Sequence, residues 1–444
     1  MQSHITQWSI VRWVVGGLML IMLPDTILAA SYEPSLFPGI EVDAGGSLRL
    51  RYEWKQGFAL GKPGAVDPQD YLLSQLRVHL NIHRGDAWRL FVEGQDARLN
   101  RAFLHNTVDD VSDANTFTDR FDLHQAYLDV GWGNQFGGKL RVGRQKFNLG
   151  RQRLVASLEW VNTARVWDAV RLSQRLGNQG RVLDLFASRL VPVRSSGFNT
   201  HALTGNRLLD SQFYGAYLTD KVSIAHSRAE IYYLLRRNTH AGDLVHTYGL
   251  RYEYKNNGWD ADGEAMLQTG SYGFLRHRAY AAHVGAGRII FPDWHLGAAY
   301  NFGSGDSNPA DSKHQTFDNL YPLNHAYYGY MDLFSLQNLH NAESVLTWKA
   351  NPRNTFRFAY EGFWLAKASS DAWFNAGAGV VRHGVPGASP YVGSEVDITL
   401  ASKFPTLNFA TLIGFSHFFA GSFINQTGTS KDANFLFVQG KYRF

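Results

Sequence analysis

The sequence predicts an all-β protein, a transmembrane antiparallel barrel of the outer-membrane type with about 18 strands. Three observations predict it. From Ser47 to the last residue, apolar and polar side chains alternate in segments of about ten residues. The connections between segments alternate between tight turns and long loops. The one strongly apolar run lies at the N-terminus, and no internal stretch reads as a membrane-spanning helix.

That first run, Trp13–Leu23, follows Arg12 and precedes the small residues Ala29 and Ala30, so residues 1–30 read as a signal peptide with cleavage near Ala30–Ser31. About eleven apolar residues are too few to cross ~30 Å of hydrocarbon, which argues against an anchor. Residues 31–46, with two prolines in "SYEPSLFPGI", read as a periplasmic leader, and residues 47–444 as one barrel domain.

The strands follow in order. "SLRLRYEW" sets Leu48, Leu50, Tyr52 and Trp54 against Arg49, Arg51 and Glu53, and "LRVHLNIH" sets Leu76, Val78, Leu80 and Ile82 against Arg77, His79, Asn81 and His83. Further strands are expected near 88–95, 123–132, 138–144, 166–173, 182–189, 211–218, 222–235, 246–255, 259–269, 277–287, 294–302, 342–350, 355–365, 395–403, 406–418 and 435–444. Tight turns such as "HRGDA" (83–87), "KNNG" (255–258) and "NPRN" (351–354) should face the periplasm together with both termini. The long loops near 55–71, 97–121, 145–165, 190–210, 303–338, 366–392 and 419–434 should face outward. Aromatic residues make up 14% of the chain. Those near segment ends (Tyr52, Trp54, Trp132, Trp259, Trp294, Tyr300, Trp348, Trp364) suit interfacial girdles. The chain ends "FLFVQGKYRF", and a terminal Phe444 with Tyr442 on the same face resembles the signal read by barrel-assembly machinery.

Composition limits the function. The chain has no Cys, which excludes disulfides, thiol catalysis and a Cys-x-x-Cys-His haem conduit. Net charge is +5 and pI about 9.1, an excess that suits an anionic partner but does not resemble a nucleic-acid binder. No Gly-x-Ser-x-Gly elbow or His-Glu-x-x-His pair appears, so no enzyme and no cofactor are expected. Oxygen-bearing Asp306, Asn308 and Asp311 in "GSGDSNPAD" are a weak Ca²⁺ candidate, lacking the Gly and terminal Glu of an EF-hand loop.

Where the inward charges lie matters more than their sum. "GKLRVGR" (138–144) alternates Lys139 and Arg141 with Leu140 and Val142, a strand with one lipid face and one cationic, wet face. Other inward-phase cations are Arg49, Arg51, Arg77, Arg251, Arg357, Lys441 and Arg443, while Asp129, Asp184, Glu253, Asp260, Asp262, Glu264 and Glu361 share the lumen face. Strict alternation from Arg141 turns Arg144 outward unless the strand bulges or ends near Gly143.

Three stretches carry a family resemblance: "LRVGRQKFNLGRQRLVASLEWVNTARVWDAVRL" (140–172), "GSGDSNPADSKHQTFDNLYPLNHAYYGYMDLF" (303–334), and "GSEVDITLASKF" followed by "GFSHFFAGSFI". Together they resemble the alginate-export family of outer-membrane proteins. The resemblance implies an eighteen-stranded barrel with a basic constriction for a polyuronate chain, to which Arg141, Arg144, Arg165 and Asp168 would belong, with Arg171 next, and it turns Arg144 inward. It also implies a Gram-negative outer-membrane location and an anionic polysaccharide or small anionic solute as partner, besides membrane lipid, the assembly machinery and a periplasmic secretion scaffold. A general or small-solute porin, or a structural or adhesive barrel, remain the alternatives.

Overall fold

The computed structural model describes residues 30–32, 38–60, 67–100, 116–133, 137–177, 180–194, 197–201 and 211–444. The signal-peptide reading covers residues 1–30, of which 1–29 lie outside the described residues, and Ala30–Tyr32 form a short strand against Val42–Ala44.

Eighteen antiparallel strands close into a barrel. In chain order they are β1 Glu41–Gln56, β2 Gln69–Arg84, β3 Trp88–Asn100, β4 Asp119–Trp132, β5 Gly138–Gln145, β6 Trp167–Arg175, β7 Arg181–Leu190, β8 Gln212–Asp220 and β9 Ser227–Asn238. The second half comprises β10 Asp243–Asn256, β11 Trp259–Tyr272, β12 Leu275–Phe291, β13 Trp294–Gly303, β14 Leu339–Lys349, β15 Asn354–Leu365, β16 Tyr391–Phe404, β17 Phe409–Ala420 and β18 Ala433–Arg443. Each pairs with its sequence neighbours, and β1 pairs with β18 from Ser47↔Arg443 to Gln56↔Asn434. A closed ladder leaves no edge to satisfy in lipid, which is why a chain without disulfides can hold this shape.

The period-two pattern places side chains as expected. Leu128, Val142 and Val170 lie in one row across β4, β5 and β6 and are 46%, 45% and 47% exposed, as lipid-facing residues should be. Arg141 lies between Asp129 and Arg171 in the adjacent inward row. Trp294 stacks on Trp348 at 5.1 Å near the short-turn rim, part of an interfacial girdle.

Several boundaries differ from the sequence expectation: β2 begins at Gln69, β4 at Asp119 and β16 at Tyr391, each four or more residues earlier than the alternation gave. β1 begins at Glu41, so Glu41–Gly46 are already strand rather than leader. β9 begins at Ser227, with 222–226 forming the preceding turn. Two connections on the long-loop rim, between Asn238 and Asp243 and between Tyr272 and Leu275, are tight turns, so the outer rim is low over β9–β12.

The seam closes at the chain end. Phe444 N donates to Gly46 O at 3.1 Å, and Gly46 N donates to Phe444 O at 2.7 Å. A Cβ on Gly46 would lie 2.6 Å from the Phe444 ring, so glycine is what lets the last residue lie flat against β1.

Candidate functional site

The lumen is crossed by loops that fold inward from the outer rim. The segment between β5 and β6 leaves the wall at Gln145 and folds inward against the neighbouring strands β1–β3, where lumen side chains hold its backbone. Arg49 donates to Glu159 O at 2.6 Å and Val161 O at 3.0 Å, and Arg51 donates to Trp160 O at 2.6 Å while lying 4.0 Å over the Trp160 ring. Gln75 donates to Asn162 O at 2.6 Å, and Gln95 to Thr163 O at 2.8 Å. Asn162 is the keystone. Its Nδ2 donates to Ser74 O (3.0 Å), Phe117 O (2.8 Å) and Arg98 O (3.3 Å), and its Oδ1 accepts from Arg49 at 3.1 Å.

A second loop, between β13 and β14, meets the first. Val155 bridges Tyr321, Leu323 N donates to Gln152 O at 3.0 Å, and Trp160 stacks on His325 at 3.6 Å. Its far side docks on carboxylates of β16: Met331 N donates to Glu395 at 3.0 Å, and Tyr330 N to Asp397 at 3.4 Å. Loops following β15 and β17 complete the packing. Phe334 stacks between Phe363 and Trp373, Phe423 and Ile424 are fully buried, and Arg382 ties Ile424 O to Leu60 O. The result is one apolar cluster inside the barrel rather than between layers.

The sequence-predicted cations divide by what they touch. Arg49, Arg51 and Arg77 are buried anchors of the first loop; Arg77 pairs with Glu159 at 2.6 Å. Arg251 is locked between Glu230 (2.7 Å) and Glu253 (2.5 Å), and Arg357 on Glu343 (2.5 Å). Arg141 grips Asp129 with two bonds of 2.6 and 2.7 Å and lies 3.7 Å over the Tyr127 ring, with Lys139 3.8 Å from the same Asp129. Arg171 pairs with Asp184 at 2.9 Å. Arg165, on the inward loop, reaches only Pro322 O at 3.0 Å and has no carboxylate partner among the described residues. Lys441 and Arg443 likewise make no ion pair among the described residues.

Arg144 differs from these cations in strand phase. Gly143 takes φ +125°, yet the register runs unbroken through Tyr127↔Gly143 and Ala126↔Arg144, so Arg144 keeps the outward phase of Val142. Asp168 shares that phase. The two pair at 2.8 Å near the outer rim, where His201 also reaches Asp168 at 2.8 Å, and the largely buried Arg144 also donates to Leu123 O at 3.1 Å and lies 3.9 Å from the buried Asp122 carboxylate. A paired guanidinium at the strand end avoids the ~2–4 kcal/mol that an arginine facing lipid at mid-depth would cost.

Electrostatics on the loops reinforce the docking. Burial pushes the Glu159 carboxyl up, but the Arg77 guanidinium and the Lys146 ammonium outweigh it and hold the group well below the usual carboxylate range. Burial with no opposing carboxylate lowers Arg165 to about 10. The far wall is acidic, with Asp260 and Asp262 bonded to His295 and His283.

Asp306, Asn308 and Asp311 do not converge. Each turns its side-chain oxygen to a backbone N–H of its own loop, at Asn308, Ala310 and Lys313. Among the described residues, no group of three or more His, Asp or Glu side chains is placed to hold a metal. Residues that the sequence reading missed are Glu159, Trp160, Asn162, Tyr321, His325 and Tyr330, all on inward loops. The available signal was apolar residues in the inward phase: Phe213 and Tyr217 on β8, Phe363 on β15, and Phe435 and Phe437 on β18 point into a lumen that would otherwise be wet.

A family model described as alginate export matches residues 40–439. No curated protein matches the chain. Solved structures share the fold at low identity. OccAB4 of Acinetobacter baumannii is 12% identical with a TM-score of 0.62, covering 91% of this chain and 98% of its own. OpdO of Pseudomonas aeruginosa is 13% identical with a TM-score of 0.60, covering 91% and 97%. OpdK of Pseudomonas aeruginosa, solved with vanillate, is 10% identical with a TM-score of 0.60, covering 90% and 99%.

Proposed function

Because this chain belongs to the alginate-export family and folds as an outer-membrane channel, we propose that it passes anionic solutes of the polyuronate type along the wall formed by β18, β1, β2, β5 and β6. The observation that carries this reading is a local excess of cations. Lys139 and Arg141 share a single Asp129, and Lys441, Arg443 and Arg165 have no carboxylate partner among the described residues.

The way the loop is held suggests how a solute moves. Arg49 spends its donors on the neutral acceptors Glu159 O, Val161 O and Asn162 Oδ1, and Arg51 divides its own between Trp160 O and the Glu53 carboxylate at 2.7 Å. A carboxylate makes charge-assisted bonds roughly twice as strong, and the guanidinium fork fits it bidentately. An arriving uronate therefore competes with the loop for the same donors, and the acidic far wall keeps the chain from settling at one site.

Planar-bilayer recordings of the refolded protein test this. A salt gradient should give a reversal potential of anionic sign, and an oligouronate should reduce the current where a neutral oligosaccharide of equal length does not. Cation preference at neutral pH would overturn the reading. A second reading, a channel for small carboxylates, is favoured by the loops that narrow the lumen and by the solution of a fold relative with vanillate. Block by monomeric carboxylates without dependence on uronate chain length would select it.

A further inference from the structure

The outer face of β9–β12 differs from the rest of the lipid-facing wall. The ladder aligns outward side chains into rows across the four strands. One row is Tyr233, Tyr248, Leu267 and Tyr280, and the row below it is Ile231, Leu250, Ala265 and Ala282. With Ala216 beside Tyr233, the alanines floor an apolar recess of about 750 Å³ edged by the tyrosines, a volume in the range of ligand sites.

Directly above the recess the wall turns basic. The next two rows carry His246, Thr269 and Arg278, then Arg237, Ser271 and Arg276. Arg237, Arg276 and Arg278 are exposed, and exposed Lys313 lies beside Arg276 in a parallel bridge. None of these four makes an ion pair among the described residues.

Depth places this cluster at the membrane surface. At the other end of β12, Arg288 lies 4.6 Å over Trp259 of the periplasmic girdle. About ten residues separate Arg288 from Arg278, which at ~3.3 Å per residue and a tilt of ~40° is ~25 Å of height, the apolar band of an outer-membrane barrel. The connections after β9 and β11 are tight turns, and the β13–β14 loop meets this face at Lys313–His314, beside Arg276 and His277. Uncompensated arginines thus stand where the headgroups of the outer leaflet begin, above a groove of acyl-chain character.

We propose that this face binds a phosphorylated, multiply acylated glycolipid of the outer leaflet, a lipopolysaccharide, with its phosphates on Arg237, Arg276 and Arg278 and one acyl chain in the recess below. Guanidinium forks pair bidentately with phosphate. Arg237 and Arg276 stand three strand spacings apart, ~14 Å, the scale of a disaccharide with a phosphate at each end. A second copy of the chain is the poorer occupant, because a twofold contact would bring like-charged clusters together.

The test uses the full chain in phospholipid nanodiscs, with bisphosphorylated lipid A and its dephosphorylated form as probes. Wild-type protein should bind the phosphorylated form at least tenfold more tightly, and the triple variant Arg237→Gln/Arg276→Gln/Arg278→Gln should lose that preference. Its heat-modifiable mobility and ion conductance, which depend on the ladder and the lumen, should stay unchanged. Ala265→Leu/Ala282→Leu, which fills the recess, should weaken binding of both forms. Equal binding of the two lipids by wild type, or undiminished binding by the triple variant, would overturn the proposal. So would a crosslinked dimer that Ala282→Trp dissolves, since the face would then serve self-association.

Discussion

Replacing Asn162 with Ala should release the inward loop without harming the barrel. The side chain makes three good hydrogen bonds, to Ser74 O, Phe117 O and from Arg49, and a longer one to Arg98 O. At about 0.5–1.5 kcal/mol each, loss of the three good bonds removes about 2–4 kcal/mol from the docked state. With tenfold per 1.4 kcal/mol, the released population rises roughly 30- to 700-fold. None of these bonds belongs to the strand ladder, and the Gln75 bond to the Asn162 backbone survives the substitution. Single-channel recordings should therefore show larger, noisier openings, and protease should cut within 146–166, while the heat-modifiable shift on gels stays that of wild type. Conductance and protection indistinguishable from wild type would refute the keystone role, and with it the assignment of this loop as the part that narrows the lumen.

Acid should release the same loop. Glu159 titrates below its ordinary value, so its contribution to docking is present above about pH 4.3 and is lost as pH falls below that range. Its side chain is 44% exposed, so solvent screens the effect, and Glu159→Gln should abolish whatever acid-induced opening the recordings show. Arg141→Gln should lower anion preference in reversal-potential measurements, since it removes an inward cation, whereas Arg144→Gln should leave selectivity unchanged and lower the denaturation midpoint by breaking the Asp168 pair. Gly46→Val would put a Cβ 2.4 Å from Arg77 O and 2.6 Å from the Phe444 ring. Closure should then cost about 1–3 kcal/mol, read as a lower urea midpoint and slower appearance of the heat-modifiable band.

The barrel was legible because period two is a local signal: every segment from "SLRLRYEW" to "FLFVQGKYRF" announces its own two faces, and the observed strands fall on those segments. The lumen was not legible for the opposite reason. Arg49 and Arg51 look in sequence like free cations of a wet pore, but their acceptors lie about 110 residues away on a loop whose entry into the barrel leaves no periodic trace. Only the doubly apolar strands hinted at it. In "QFYGAYLTD", Phe213 and Tyr217 face inward while Tyr214, Ala216 and Leu218 face out. A strand apolar on both sides needs something apolar inside, and the inward loops supply it.

Arg144 shows how the two kinds of signal should be weighed. Alternation alone turned it outward, and the family resemblance turned it inward; the ladder agrees with alternation. A glycine at positive φ is not in itself a bulge, because a bulge requires an extra residue in the register, and Tyr127↔Gly143 and Ala126↔Arg144 leave none. The resemblance named Arg144 and Asp168 together as pathway residues and did not foresee that they pair with each other, which satisfies both groups on either face of the wall. Selectivity measured on Arg141→Gln and Arg144→Gln side by side therefore separates the two faces of one strand. Equal loss of anion preference in both would mean that the solute passes the outer rim near Asp168 and His201 before it reaches the lumen.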